Sequence, residues 1–177
     1  RPPKGDERVG RRCGLVIDEG VLFRTNETAF VQTKRKLLDD CDLWCIVSMP
    51  PGVFSQAGAG VKTNLLFFNK GRPTERIWYY DLSDLKVGKK NPFTLARMGD
   101  FFELVGDCRA GGTADRPDSE RSWTVGRDEI EARKYDLKAV NPNRVVEEDT
   151  RTPEELLDEI EKQQAIIAAA IAELRRL

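Results

Sequence analysis

The 177 residues contain no histidine. That absence removes every mechanism that needs an imidazole as base or metal ligand. A Ser-His-Asp triad, a Cys-His dyad and a histidine zinc site are all excluded within this chain. Cysteine is sparse, with four residues at 13, 41, 45 and 108 and no C-x-x-C pair, which argues against zinc ribbons and thioredoxin-type sites. Cys13, Cys41 and Cys45 lie in apolar runs and read as small buried hydrophobes; reduced thiols of this kind suit a cytoplasmic protein. No apolar stretch reaches eighteen residues and no signal peptide is recognisable, so no membrane partner is expected. An excess of one charge is lacking too. With 29 Lys and Arg against 30 Asp and Glu the formal charge is −1, and any contact with DNA must be local. The chain opens on Arg1 rather than Met and is expected to be a piece of something longer.

What is present reads as one α/β unit with a helical tail. Residues 1–12 are polar and form a flexible entry. Residues 13–17 (CGLVI) suggest a strand that ends in a turn at Asp18-Glu19-Gly20. A helix capped by Thr25 or Asn26 follows, with Phe30, Lys34, Leu37, Leu38 and Cys41 on one face. Asp42 breaks into 43–49 (LWCIVSM), apolar on both sides as the middle of a helix-covered sheet demands. Strand, helix, strand makes a right-handed crossover. Strands at 64–69 (antiparallel to the first two) and 76–82 (added at an edge) complete the sheet. A basic excursion over 83–93 and a helical pattern over 93–105 follow. Residues 106–121 read as a surface loop, and Trp123-Thr124-Val125 with 130–137 as a short second cluster.

The last segment carries the clearest local signal. Thr152-Pro153-Glu154-Glu155 combines a capping threonine, proline at the first helical position and a box-closing glutamate. Leu157, Ile160, Gln164, Ile167, Ile171 and Leu174 then alternate in steps of three and four, a heptad seam that favours a partner helix, with Gln164 setting register. Elsewhere the motifs fall short. Gly58-Ala59-Gly60-Val61-Lys62-Thr63 has Val61 where a phosphate loop needs glycine directly before the lysine, and it precedes a strand rather than a helix. The paired carboxylates Asp18-Glu19, Asp39-Asp40 and Glu147-Glu148-Asp149 stand beside no second chemical signature and read as solvated surface.

The order of several segments is nonetheless specific. Residues 15–23 (LVIDEGVLF), a helix ending 36–41 (KLLDDC), then 46–54 (IVSMPPGVF) and 60–70 (GVKTNLLFFNK) resemble the modification (M) subunit of type I restriction–modification systems. Residues 78–82 (WYYDL), 135–137 (YDL) and Asn141-Pro142 look like the C-terminal stretch of that family. The resemblance implies an adenine-N6 DNA methyltransferase that uses S-adenosylmethionine and acts on a flipped adenine. It implies an incomplete Rossmann-like methyltransferase sheet over 13–105, its C-terminal half, mixed parallel and antiparallel. The loop 106–121, a family extension over 122–150 and a coiled-coil-type helix over 151–177 follow.

Such enzymes bind the methyl donor with a glycine-rich turn after their first strand and hold the adenine with an Asn-Pro-Pro-aromatic motif after the fourth. Neither stands here: Met49-Pro50-Pro51-Gly52 lacks the Asn, and Asn91-Pro92-Phe93 lacks the second proline. The expectation is a fragment inactive by itself. The resemblance puts the loop 54–63 on the substrate side of the sheet, with Phe54 for stacking, Lys62 for a phosphate and Thr63 beside them. Implied partners are the specificity subunit through the terminal helix, DNA in the full complex, a restriction subunit, and a second copy through an exposed strand edge. Two alternatives stand beside this reading: an assembly module that docks through its terminal helix, and part of a fused methyltransferase–endonuclease.

Overall fold

The structure, a computed structural model, describes residues 12–55, 58, 60–144 and 151–175. The expected flexible entry therefore lies outside the described residues except for Arg12, as do Ala59 of the loop and the acidic run 147–149. The chain divides into two units, the first ending at Arg144 and the second beginning at Val145.

In the first unit, β1 (Arg12–Asp18), β2 (Cys41–Ser48), β3 (Thr63–Lys70), β4 (Arg76–Asp81) and β5 (Ser122–Gly126) form one sheet in the order β1-β3-β2-β4-β5. β3 is antiparallel to both β1 and β2, so those two run in the same direction, as their sequences suggested. β4 is parallel to β2. It is not the edge strand expected for 76–82. Trp123, Thr124 and Val125 form β5 and pair antiparallel along it, with the Trp123 and Tyr79 rings stacked at 5.3 Å. Five residues are too few for a periodicity to announce a strand, which is why this one read only as a cluster.

Two buried clusters use the alternating side chains of the central strands. One joins Leu43, Ile46, Leu66, Ile77 and Tyr79 to Leu22, Leu38, Ile130 and Leu137 of the helical side. The other joins Trp44, Val47, Trp78 and Tyr80 to Met98, Phe101 and Val105. β2 is buried from Asp42 to Ser48, in line with its two-sided apolar run. It starts earlier than expected. Asp42 is inside the strand, where its carboxylate accepts from Arg72 Nη2 (2.6 Å) and the Gly112 amide (2.9 Å).

The helices depart from expectation where caps decide. Asp18-Glu19-Gly20 is a helix start rather than a turn: Asp18 Oδ1 accepts from the Gly20 amide and opens α1 (Glu19–Phe23), which buries Leu22. α2 (Thr28–Asp40) begins after Glu27, not at Thr25 or Asn26. Its inner face includes Lys34, whose Nζ donates to the carbonyls of Leu22 (2.7 Å) and Arg24 (2.9 Å), acceptors at the end of α1 that lack helical partners. Residues 93–105 do not make one helix. Gly99, at φ +59, separates a single turn at Leu95–Met98 from α3 (Phe101–Leu104).

The segment 106–121 lies against the sheet through polar groups. Gly111, at φ +57, sits where a side chain would collide with the Asp42 carboxylate. Arg116 is buried over the Trp44 ring at 4.5 Å and donates to the carbonyls of Val105 and Gly111. α4 (Arg127–Ala132) then places Ile130 in the first cluster.

β1 is the exception. It pairs on one side only among the described residues, and Leu15 and Val16 are 44% and 51% exposed. Cys13, expected to be buried, is exposed here because nothing described covers this strand. In the second unit, α5 (Pro153–Leu174) carries the expected capping box: Thr152 Oγ1 accepts from the Glu155 amide and the Glu155 carboxylate accepts from the Thr152 amide.

Candidate functional site at the carboxyl ends of the parallel strands

β1, β2 and β4 run in one direction and end at Asp18, Ser48 and Asp81, where β3 begins at Thr63. In open α/β sheets ligands collect beyond the carboxyl ends of the parallel strands, and here the loops there carry the candidate residues. The loop after β2 leaves over Met49, whose amide donates to the Thr63 carbonyl at 3.1 Å. It turns at Gly52, φ +86, where a Cβ would stand 3.2 Å from the Val87 carbonyl oxygen. Glycine thus lets this loop run against the 83–93 excursion.

Between the two loops is a cleft of about 220 Å³ lined by Gly52, Val53, Phe54, Ser55 and the opposing Val87, Gly88, Pro92 and Phe93. Phe54 is 37% exposed at its wall. Lys62 leaves the same region but is engaged: its Nζ donates to Glu19 Oε1 at 2.7 Å, and its carbonyl accepts from the Glu19 amide. A phosphate reaching Lys62 would have to displace that carboxylate. Thr63 is buried at the head of β3. The structure thus places Phe54 on the cleft and Lys62 and Thr63 at the loop's far end.

Two residues that the sequence did not single out, Ser48 and Asn64, cluster with Thr63 here. Ser48 Oγ, Thr63 Oγ1 and both amide atoms of Asn64 are buried without a hydrogen-bond partner among the described residues. Ser48 and Asn64 are register partners across β2 and β3, and Ser48 is also aligned with Asp81 on β4. Only the strand order brings these positions together, so periodicity gave no sign of them. Buried polar atoms in native structures are almost always paired.

The excursion itself is well built. Gly88 and Asn91 exchange two backbone bonds of 3.0 Å, and the Asn91 side-chain amide and Arg97 both donate to the Lys86 carbonyl. The amide of Asn91-Pro92-Phe93 is therefore spent within its own turn. The paired carboxylates at 39 and 40 lie on the surface, as expected, and make ion pairs there. Asp39 and Asp40 pair with Arg127 and Lys36. Burial pushes the Cys45 thiol up, and no group of His, Cys, Asp and Glu among the described residues could hold a metal ion. β1 passes directly into α1, and its one glycine there, Gly20, is held by the cap: Asp18 Oδ1 lies 2.6 Å from where its Cβ would be.

α5 displays its seam openly. Leu157, Ile160, Gln164, Ile167, Ile171 and Leu174 are exposed, and so are Leu156 and Ile166 beside them. No helix among the described residues is long and apolar enough to cross a membrane.

Comparison with known proteins agrees with this architecture. The family model for N-6 DNA methylases matches residues 7–151. The methylase subunit of the Escherichia coli type I restriction enzyme EcoEI is 34% identical over 169 residues, covering 93% of this chain and 33% of that protein. A chain from a structural study of assembly and conformational transition in the type I R-M system is similar at TM-score 0.69 and 38% identity, over 96% of this chain and 36% of its own length. The crystal structure of the EcoKI M protein is similar at TM-score 0.61 and 26% identity, over 95% of this chain and 41% of that one. The chain spans about a quarter to a third of the length of the curated relatives it matches.

Proposed function

The chain belongs to the N-6 DNA methylase family, and from that premise we propose that it is the C-terminal share of the modification subunit of a type I restriction–modification system. The parent protein transfers a methyl group from S-adenosylmethionine to N6 of a flipped adenine in DNA, in the cytoplasm. One observation carries the reading: a five-stranded mixed sheet whose edge strand β1 is apolar yet uncovered, with orphaned buried polar atoms at the carboxyl ends of its neighbours. Both features suit a Rossmann-like sheet completed by residues outside this chain, which supply the donor pocket and the Asn-Pro-Pro-aromatic base clamp.

In this reading Phe54 stacks on the extruded base, and the Lys62–Glu19 pair with Thr63 fixes the far end of the loop. α5 pairs with helices of the specificity subunit, Gln164 setting the register, and a restriction subunit joins the complex. The exposed apolar faces of α5 also favour a second reading, an assembly module whose purpose is that docking. Methylation by the full complex separates the two. Phe54→Ala should lower the methylation rate at least tenfold, as expected when a positioning contact is lost. An unchanged rate supports the assembly module. The 177-residue chain alone should bind no S-adenosylmethionine, and saturable calorimetric binding to it would contradict the assignment.

A further inference from the structure

The loop beside the cleft holds cations with no ion-pair partner among the described residues. Lys89 and Lys90 occupy the tip of the turn closed by Gly88 and Asn91. Both are exposed, as is Lys86 at the base of the turn, and none of the three has an ion pair among the described residues. The nearest carboxylates in sequence are committed elsewhere. Asp84 pairs with Arg121 at 2.6 Å, and Asp81 accepts from the Ser83 amide. This concentration of positive charge stands out in a chain whose formal charge is −1. It also adjoins the aromatic cleft, because Gly88 on one side and Pro92 and Phe93 on the other are part of the cleft wall that Phe54 faces.

We propose that the Lys89-Lys90 turn is a DNA-backbone clamp: the two ammonium groups contact phosphates of the strand that carries the base entering beside Phe54. The inference rests on the methyltransferase reading above and deepens it. Lys62, the cation first expected in this role, is held by Glu19, whereas Lys89 and Lys90 have no ion pair among the described residues. Phosphate contacts position a strand without reading its sequence, which suits a subunit that leaves sequence recognition to a partner. The turn is preorganised by its two backbone bonds, by Asn91 Nδ2 at 2.8 Å from the Lys86 carbonyl and by Arg97 at 3.1 Å from the same atom. Little ordering of the backbone is then required on binding, and unpaired lysines need no carboxylate displaced.

The test uses the full-length protein in its complex and measures DNA affinity by fluorescence anisotropy across a salt series. Lys89→Gln with Lys90→Gln should weaken binding roughly tenfold or more near 0.1 M salt and lower the slope of log K against log salt by about 2, one per lost phosphate contact. The charge-preserving pair Lys89→Arg with Lys90→Arg should retain the wild-type slope. A control pair on other exposed lysines, Lys36→Gln with Lys70→Gln, should change the slope little. Should the double variant melt lower than wild type, Lys90→Gln alone is read instead, with a slope change of about 1. Wild-type slope in the glutamine variant, or an equal change in the control pair, overturns the clamp and leaves the methyltransferase reading standing. A wild-type complex that neither binds nor methylates DNA overturns both.

Discussion

Strands β1 and β2 carry similarly apolar sequences, RCGLVID and CDLWCIVS, and run in the same direction on either side of β3. Yet β2 buries seven of its eight residues, whereas six of the seven in β1 are exposed. Composition decides that each becomes a strand; neighbours decide which becomes interior. β2 has β3 and β4 beside it and a hydrophobic cluster on each face, while β1 has β3 alone among the described residues. On the proposed function, an apolar strand left open in this way is the edge of an unfinished sheet, and it is also a template for self-association at high concentration.

The largest effect should fall on β2. Ile46→Ala empties a fully buried position and should cost about 2–5 kcal/mol in denaturant unfolding of the 177-residue chain. Next comes the polar tie that pins 106–121 to the same strand. Asp42→Ala leaves the Gly112 amide without its acceptor and the Arg72 guanidinium with the Ala110 carbonyl in place of the carboxylate, and should cost about 2 kcal/mol, the scale of a hydrogen bond to a charged group. Protease sensitivity should rise first between Gly106 and Arg121.

Alkaline pH should also act on the interior strands. Burial raises the pKa of the Cys45 thiol on β2 and of the Tyr79 and Tyr80 phenols on β4, Tyr80 with a further contribution from its hydrogen bond to Asp100. These groups stabilise the fold fully below their ordinary values of 9.0 and 10.0. That contribution is eroded as pH rises past those values towards the folded-state ones. Lys34 opposes them: burial lowers its pKa from 10.5, so its share of stability climbs as pH approaches that value. Burial raises the Cys41 thiol as well, in the same sense as Cys45, and the melting temperature should fall above about pH 9. Tyr79→Phe should make the fall shallower.

The smallest effect belongs to β1. Val16→Ser should change the stability of this chain by less than about 0.5 kcal/mol, as for other exposed positions. If the proposed function holds, the strand is covered in the full-length protein and the same substitution there should cost more than about 1 kcal/mol.

The sequence made some of this plain. The two-sided apolar run of β2, the amphipathic α2 with Leu38 inward and the capping box of α5 follow local rules, and each stands in the structure. Helix boundaries set by one side chain, such as Asp18 opening α1, are harder, because the same tripeptide also suits a turn. The interior place of β4 and the existence of β5 depend on pairing between residues more than forty positions apart, which no local pattern encodes. Phe54, which the resemblance put on the substrate side, does line the cleft after β2. The free lysines at 89 and 90 emerged only once the ion pairs of their neighbours were known, and Ser48 and Asn64 once their strands were aligned.

The account turns on β1 being an interior strand of a larger sheet. Amide hydrogen exchange over residues 13–17, compared between the 177-residue chain and the full-length protein, tests this most directly. The account expects the amides that do not bond to β3 to exchange rapidly in the chain alone and to become protected by orders of magnitude in the full-length protein. Equal exchange in both would mean that nothing pairs with the open edge of β1, and the reading of this chain as part of a divided methyltransferase sheet would fail.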